Sequence, residues 1–146
     1  MKYTNPEQKL TFGTICDVDI FSDMIPIDTL IYYDYPLLEL YIDKFDHNKY
    51  YFCRWVDDDE NGNRWLVYDV DRELFLSFFK KNKTSRDLIK SAINIYLYDI
   101  YEENSKLYKI NYNQIPSEYL PEETAVFDSS IYTEYANALQ KTLLKV

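Results

Sequence analysis

Apolar and polar residues alternate along much of the first half of this chain, with the two-residue period of strands. Residues 10–21 place Phe12, Thr14, Cys16, Val18 and Ile20 on one face and Asp17 and Asp19 on the other. The stretch Ser22-Asp23-Met24-Ile25-Pro26 separates this strand from a second apolar run. Residues 36–43 set Leu38, Leu40 and Ile42 against Glu39, Tyr41 and Asp43. Asp46-His47-Asn48 reads as a turn, because Asp and Asn side chains bond their own backbone. Residues 50–56 are apolar on both faces, as a central strand is, and residues 64–70 mirror them across Asn61-Gly62, a strong hairpin signal. Three or four antiparallel strands in sequence make a meander.

The period then changes. Asp71-Arg72-Glu73 opens a helix with acidic residues where the helix dipole favours them, and Leu74, Phe75, Phe78 and Phe79 form its apolar stripe. Thr84 with Asp87 three residues on marks a second helix start, with Leu88, Ile89 and Ala92 on the buried face. Strand character returns over residues 93–101, where Ile93, Ile95 and Leu97 alternate with Asn94, Tyr96 and Tyr98. Glu102-Glu103-Asn104-Ser105 is a turn, and residues 106–112 pair back. Pro116 and Pro121 punctuate an irregular crossing. From about Asp128 the tail reads as an amphipathic helix with Ile131, Tyr135, Ala138, Leu139, Thr142, Leu143 and Val146 in one stripe. The expected fold class is α+β: residues 1–146 form a single domain, an antiparallel meander sheet with two central helices and a C-terminal amphipathic helix (128–146) packed on it.

Composition narrows the function classes. The 146 residues are 47% hydrophobic and 28% charged, enough for one domain with a core. The 16 Tyr, 8 Phe and 2 Trp exceed what a disordered chain carries. No apolar run is long enough to span a membrane, and Met1-Lys2-Tyr3-Thr4-Asn5-Pro6 lacks the apolar core of a signal peptide, so a cytoplasmic protein is expected. The net charge of −9 argues against nucleic-acid binding. That charge is uneven: residues 1–78 hold 16 acidic and 7 basic side chains, residues 79–146 hold 9 of each, and five of the basic ones crowd into residues 80–90. Only Gly13 and Gly62 occur, which excludes the clustered glycines of a Rossmann fingerprint or P-loop. Cys16, Cys53 and the single His47 are too few for a Cys/His zinc site. No metal or cofactor is expected.

Candidate chemistry is correspondingly thin. Asp57, Asp59 and Asn61 before Gly62 match the opening of a calcium loop, but Tyr68 stands where the bidentate Glu belongs and the flanks are strands. Asp69, Asp71 and Glu73 bring carboxylates close in sequence for acid–base work, yet Asp71 also suits a helix N-cap. Both cysteines lie in strands and His47 in a turn, so a Cys–His dyad is disfavoured, and with it an enzyme.

Tyrosine is the stronger signal. Tyr32, Tyr33, Tyr35, Tyr41, Tyr50, Tyr96, Tyr98, Tyr108 and Tyr112 sit in pairs or on the more polar strand faces. Rigid rings with polar tips are the residues that interfaces enrich.

The runs Tyr35-Pro36-Leu37-Leu38, Tyr51-Phe52-Cys53-Arg54-Trp55-Val56-Asp57-Asp58-Asp59-Glu60 and Trp65-Leu66-Val67-Tyr68-Asp69-Val70 carry a resemblance. With Gly13-Thr14-Ile15, Thr84-Ser85-Arg86-Asp87 and Leu120-Pro121-Glu122-Glu123, they resemble an uncharacterised bacterial family, a domain of unknown function, over about residues 10–125. The chain departs from that pattern in a longer first loop (about residues 22–34) and in its C-terminal helix. The resemblance implies the fold and a bacterial or phage origin; it implies no activity.

The functional expectation is therefore a non-catalytic protein–protein interaction or regulatory module. Tyr50, Trp55, Trp65, Tyr96 and Tyr98 are its expected anchors on a Tyr-rich acidic face, with Asp57, Asp58, Asp59 and Glu60 steering the partner. One alternative is a small-ligand binder in which Arg54 or Arg64 meets a nucleotide-like anion. The other is an acidic nucleic-acid mimic that inhibits a DNA-binding enzyme. Partner, ligand, oligomeric state and pathway lie beyond the residues alone.

Overall fold

The computed structural model describes residues 13–60 and 62–145. Seven strands form one antiparallel sheet: β1 (Thr14–Ile15), β2 (Met24–Tyr33), β3 (Tyr35–Asp43), β4 (Lys49–Asp59), β5 (Gly62–Asp71), β6 (Ile95–Tyr101) and β7 (Asn104–Ile110). Their spatial order is β1-β7-β6-β5-β4-β3-β2. Among the described residues three helices, α1 (Arg72–Phe79), α2 (Ser85–Lys90) and α3 (Glu134–Leu143), join the sheet in an α+β fold. None of the described helices is long and apolar enough to cross a membrane.

Alternation sorts the two faces of the sheet. On one face Leu38, Leu40, Phe52, Leu66, Tyr68, Val70 and Leu97 meet Phe75, Phe78, Phe79, Leu88 and Ile89 of the helices, and this is the main core. The opposite face carries Tyr51, Cys53, Val67, Tyr96 and Leu107. The chain between β1 and β2 runs from one sheet edge to the other, and it lays Ile20, Phe21 and Met24 over this second face. Residues 10–21 are therefore not one strand. Residues 10–12 lie outside the described residues, only Thr14 and Ile15 pair with β7, and Val18 is 68% exposed.

Pro26 lies within β2 rather than ending an element. β2 is an edge strand, the place in a sheet where proline is tolerated. The outer edge of β2 is partly covered by the C-terminal segment: the Thr133 N–H donates to the Leu30 carbonyl (2.9 Å) and the Thr133 hydroxyl to the Thr29 carbonyl (2.8 Å). Gly62 is the first residue of β5, paired with Asp59 on one side and Tyr101 on the other. Its backbone passes so close to β6 that a Cβ would stand 1.8 Å from the Ile100 carbonyl oxygen. Close approach, rather than a turn conformation, demands glycine here; Asn61 lies outside the described residues.

The helix starts follow their caps. The Asp71 carboxylate accepts from the Leu74 N–H (2.9 Å), and Thr84 and Asp87 form a reciprocal capping box. The third helix begins later than its sequence stripe suggests, at Glu134 behind the cap Thr133. Its buried side is Ala136 and Leu143, with Tyr135 and Leu139 half-buried, whereas Ile131, Ala138 and Thr142 are exposed. The helix packs on its own chain, and Gln140 Nε2 donates to the Phe79 carbonyl (2.8 Å).

Helix α1 ends in a Schellman arrangement. Lys81 N–H bonds the Phe78 carbonyl, Asn82 N–H bonds the Ser77 carbonyl, and Lys81 takes φ 65°. A side chain in that left-handed region costs about 1 kcal/mol that glycine avoids. Lys81→Gly is expected to raise the thermal midpoint by about 2 °C. A fall in the midpoint on calorimetry would show that Lys81 is held there by contacts of its own.

Candidate functional site

A groove of about 600 Å³ opens on the second face of the sheet. Strand order builds it: β3, β4, β5 and β6 lie side by side, so Tyr35, Glu39, Trp65 and Tyr98 line one depression, with Cys53 and Val67 beneath the aromatics. Phe21 from the crossing segment closes one side, its ring 4.7 Å from that of Tyr98. Among the described residues Glu39 is the one charged lining residue, and its Oε2 accepts from the Tyr41 hydroxyl (2.7 Å). Burial, reinforced by that bond, pushes the Tyr41 phenol well above the usual tyrosine range. Burial, with Glu39 adding to it, likewise raises the Cys53 thiol, which keeps it protonated and unreactive.

Beyond the groove, the tip of the β2–β3 hairpin carries three exposed rings: Tyr32 (58%), Tyr33 (74%) and Tyr35 (42%). Tyr33 pairs directly with Tyr35, so both rings leave the sheet on one side. The Tyr35 ring stands edge-on to Trp55, with centroids 6.1 Å apart. The Trp55 Nε1–H beside it is buried and meets no acceptor among the described residues.

The acidic hairpin is organised inward. Arg64 is fully buried, and the register sets Asp57 opposite it on β4 and Asp99 opposite it on β6. A β-bulge between Trp55 and Asp57 is what brings the carboxylate, rather than Val56, to that position. The guanidinium pairs with Asp59 (2.8 Å), Asp99 (3.3 Å) and Asp57 (3.4 Å). Tyr119 also donates to Asp57 Oδ2 (3.1 Å). The place a cation would take among these carboxylates is filled by arginine, and no metal-holding group of three or more His, Cys, Asp or Glu occurs among the described residues.

Arg54, ten residues earlier on the same hairpin, has the opposite surroundings. It pairs with Leu38 and Leu66, so its side chain enters the helix-covered face. Its Nε donates to the Tyr68 hydroxyl (3.4 Å), and the Tyr132 hydroxyl interacts with both Arg54 and Ser85. Burial works against its charge, but the two phenol oxygens outweigh burial and hold the guanidinium proton more tightly than usual.

The expected site residues therefore scatter. Trp65 and Tyr98 line the groove and Trp55 lies beside it. Tyr96 is buried under the crossing segment. Tyr50 faces the helices, stacked on Phe75 at 3.9 Å with its hydroxyl accepting from Arg72 (2.9 Å). Asp57 and Asp59 belong to the Arg64 cluster, Asp58 is half-buried, and Glu60 alone of the four is exposed. Arg64 has no surface to offer a ligand. Of the carboxylates near α1, Asp69 anchors Asn94 through its N–H (2.6 Å) and Nδ2 (3.0 Å) and pairs with Lys49, while Asp71 caps the helix. Tyr35 and Tyr41, two of the tyrosines of interface type, complete the groove together with Phe21 and Glu39, which the sequence pattern does not mark as a site. Comparison with protein-family models, curated proteins and solved structures finds no match for this chain.

Proposed function

We propose that this chain is a non-catalytic binding module that takes an extended segment of a partner protein into the aromatic groove, a basic side chain of that segment meeting Glu39. The groove itself carries the proposal: about 600 Å³ walled by Phe21, Tyr35, Trp65 and Tyr98, with one carboxylate, and continued outward by Tyr33. Its size suits a bound side chain or short segment, and exposed clustered aromatics of this kind mark recognition surfaces. The chain's net charge of −9 favours a basic partner by long-range attraction. A backbone carbonyl of the partner would give the Trp55 N–H an acceptor, which it lacks among the described residues, once Tyr35 swings aside. A regulatory or immunity role in a bacterium or phage is in keeping with such a module.

Selection from a displayed peptide library tests this. Bound sequences are expected to combine Arg or Lys with a large apolar residue, and Glu39→Lys is expected to weaken them about tenfold or more. Peptides that bind Glu39→Lys and Trp65→Ala as tightly as the parent chain would place the recognition surface elsewhere.

A further inference from the structure

The aromatic groove has a floor and walls of different kinds, and strand register sets both. Glu39 on β3 pairs with Cys53 on β4, and Cys53 with Val67 on β5, so small side chains lie across the bottom. Two residues along, Trp65 pairs with Tyr98, and the Phe21 ring stands 4.7 Å from that of Tyr98. Tyr35 and Tyr41 line the β3 side. All five rings are half-buried or exposed, so the groove is open to solvent. Among the described residues they share the lining with a single carboxylate, and no lysine or arginine joins them.

Aromatic rings attract a cation through the negative potential of their faces, tryptophan most strongly, and the attraction grows as water is excluded. Which cation fits best follows from the acceptors at hand. A lysine ammonium brings three N–H donors and a guanidinium five, and each needs an oxygen partner once water is removed. Among the described lining residues the charged acceptor is Glu39 alone, and its Oε2 already accepts from the Tyr41 hydroxyl (2.7 Å). A quaternary ammonium carries the same charge with no N–H to satisfy. Rings and one counter-charge are all that it asks for.

We propose that the groove recognises a quaternary ammonium group, the trimethylated side chain of a lysine in the partner segment. The inference rests on the reading of this groove as a peptide site, and it names the side chain taken. Glu39 supplies the counter-charge, and Trp65, Tyr98 and Phe21 the wall against which the methyl groups pack. A volume of about 600 Å³ leaves room beside the methylated head for the four-carbon stem and flanking backbone.

Three probes test this: acetylated, amidated lysine, its trimethylated form, and the neutral analogue with carbon in place of the quaternary nitrogen. Each is titrated into the whole chain and followed by amide NMR shifts. The trimethylated probe is expected to bind at least about five-fold more tightly than either of the others. Glu39→Gln should lower that preference, and Trp65→Leu should bring it below about two-fold. If Trp65→Leu does not fold, Tyr98→Leu is expected to act in the same direction. Equal binding of the trimethylated probe and either other probe overturns the inference, as does a preference unchanged in the folded leucine variant. Peptides selected by display that still weaken in Glu39→Lys would then keep the groove as a peptide site. No binding by any probe also overturns it, and the display selection then decides separately whether peptides bind at all. Choline bound more tightly than the trimethylated probe would make a small solute the occupant and overturn it too.

Discussion

Replacing Arg64 with methionine is expected to cost about 3–5 kcal/mol of folding stability, a large share of the roughly 5–15 kcal/mol that holds a domain of this size together. Methionine matches much of the volume, so the loss reports charge rather than a cavity. Arg64 is 0% exposed, and Asp57 and Asp99 are each below 10%. Without the guanidinium, these two and Asp59 are left close together with the arginine charge between them gone, in a place that water barely reaches. Both like-charge repulsion and desolvation then oppose folding. A second arm separates this from simple loss of contact: Asp99→Asn added to Arg64→Met should recover part of the loss by removing one of the three crowded negative charges. On its own, Asp99→Asn takes away a partner and should destabilise. Urea unfolding of the four chains gives the coupling directly. A methionine variant within about 1 kcal/mol of the parent would mean that the cluster contributes little to the fold.

That cluster also shows what a sequence reader can and cannot see. The hairpin was legible, because residues 50–56 and 64–70 are apolar runs bracketing a turn. The role of its acids was not. Asp57 faces Arg64 only because of one bulge, and Asp99 arrives from a strand 35 residues on, through a register that no local window contains. Helix starts were readable because Asp71 and the Thr84/Asp87 pair act within three residues of themselves. Residues 17–20 misled because a segment lying across a sheet face alternates by chance, without ladder bonds to enforce it, whereas Thr14 and Ile15 do pair with β7.

The candidate groove follows the same division. Aromatic enrichment pointed to Trp65 and Tyr98, whose positions on the outward strand face are set by the two-residue period. Tyr50 shared that enrichment but lies one residue out of phase with Tyr51, and the pleat sends it to the core. Glu39 and Tyr41 were visible as the polar face of a strand, yet they become groove residues only when β4 sets β3 beside β5. Phe21 belongs to a connection whose path depends on the order of all seven strands.

Phe78→Ala is the other substitution expected to cost about 3–5 kcal/mol, here through a cavity. Phe78 is 1% exposed and stands at a junction of three parts of the chain. Its ring meets Phe52 of the sheet (6.2 Å, edge-on), Phe79 of its own helix (5.2 Å), and Phe127 (6.3 Å) and Tyr132 (6.0 Å) of the C-terminal segment. Aromatic rings in edge-to-face contact cannot slide together to fill a phenyl-sized gap, so relaxation is limited and the cost sits high in the usual range. The loss should also be felt unevenly. Tyr132 directly precedes Thr133, whose N–H holds the segment to Leu30 on the sheet edge. Hydrogen exchange at the Thr133 amide is therefore expected to quicken more than exchange in the centre of β5. Phe78→Leu, which keeps most of the volume, should cost less than half as much. Equal loosening throughout the sheet would show that the C-terminal segment is held by its backbone bonds to β2 and not by the aromatic junction beneath it.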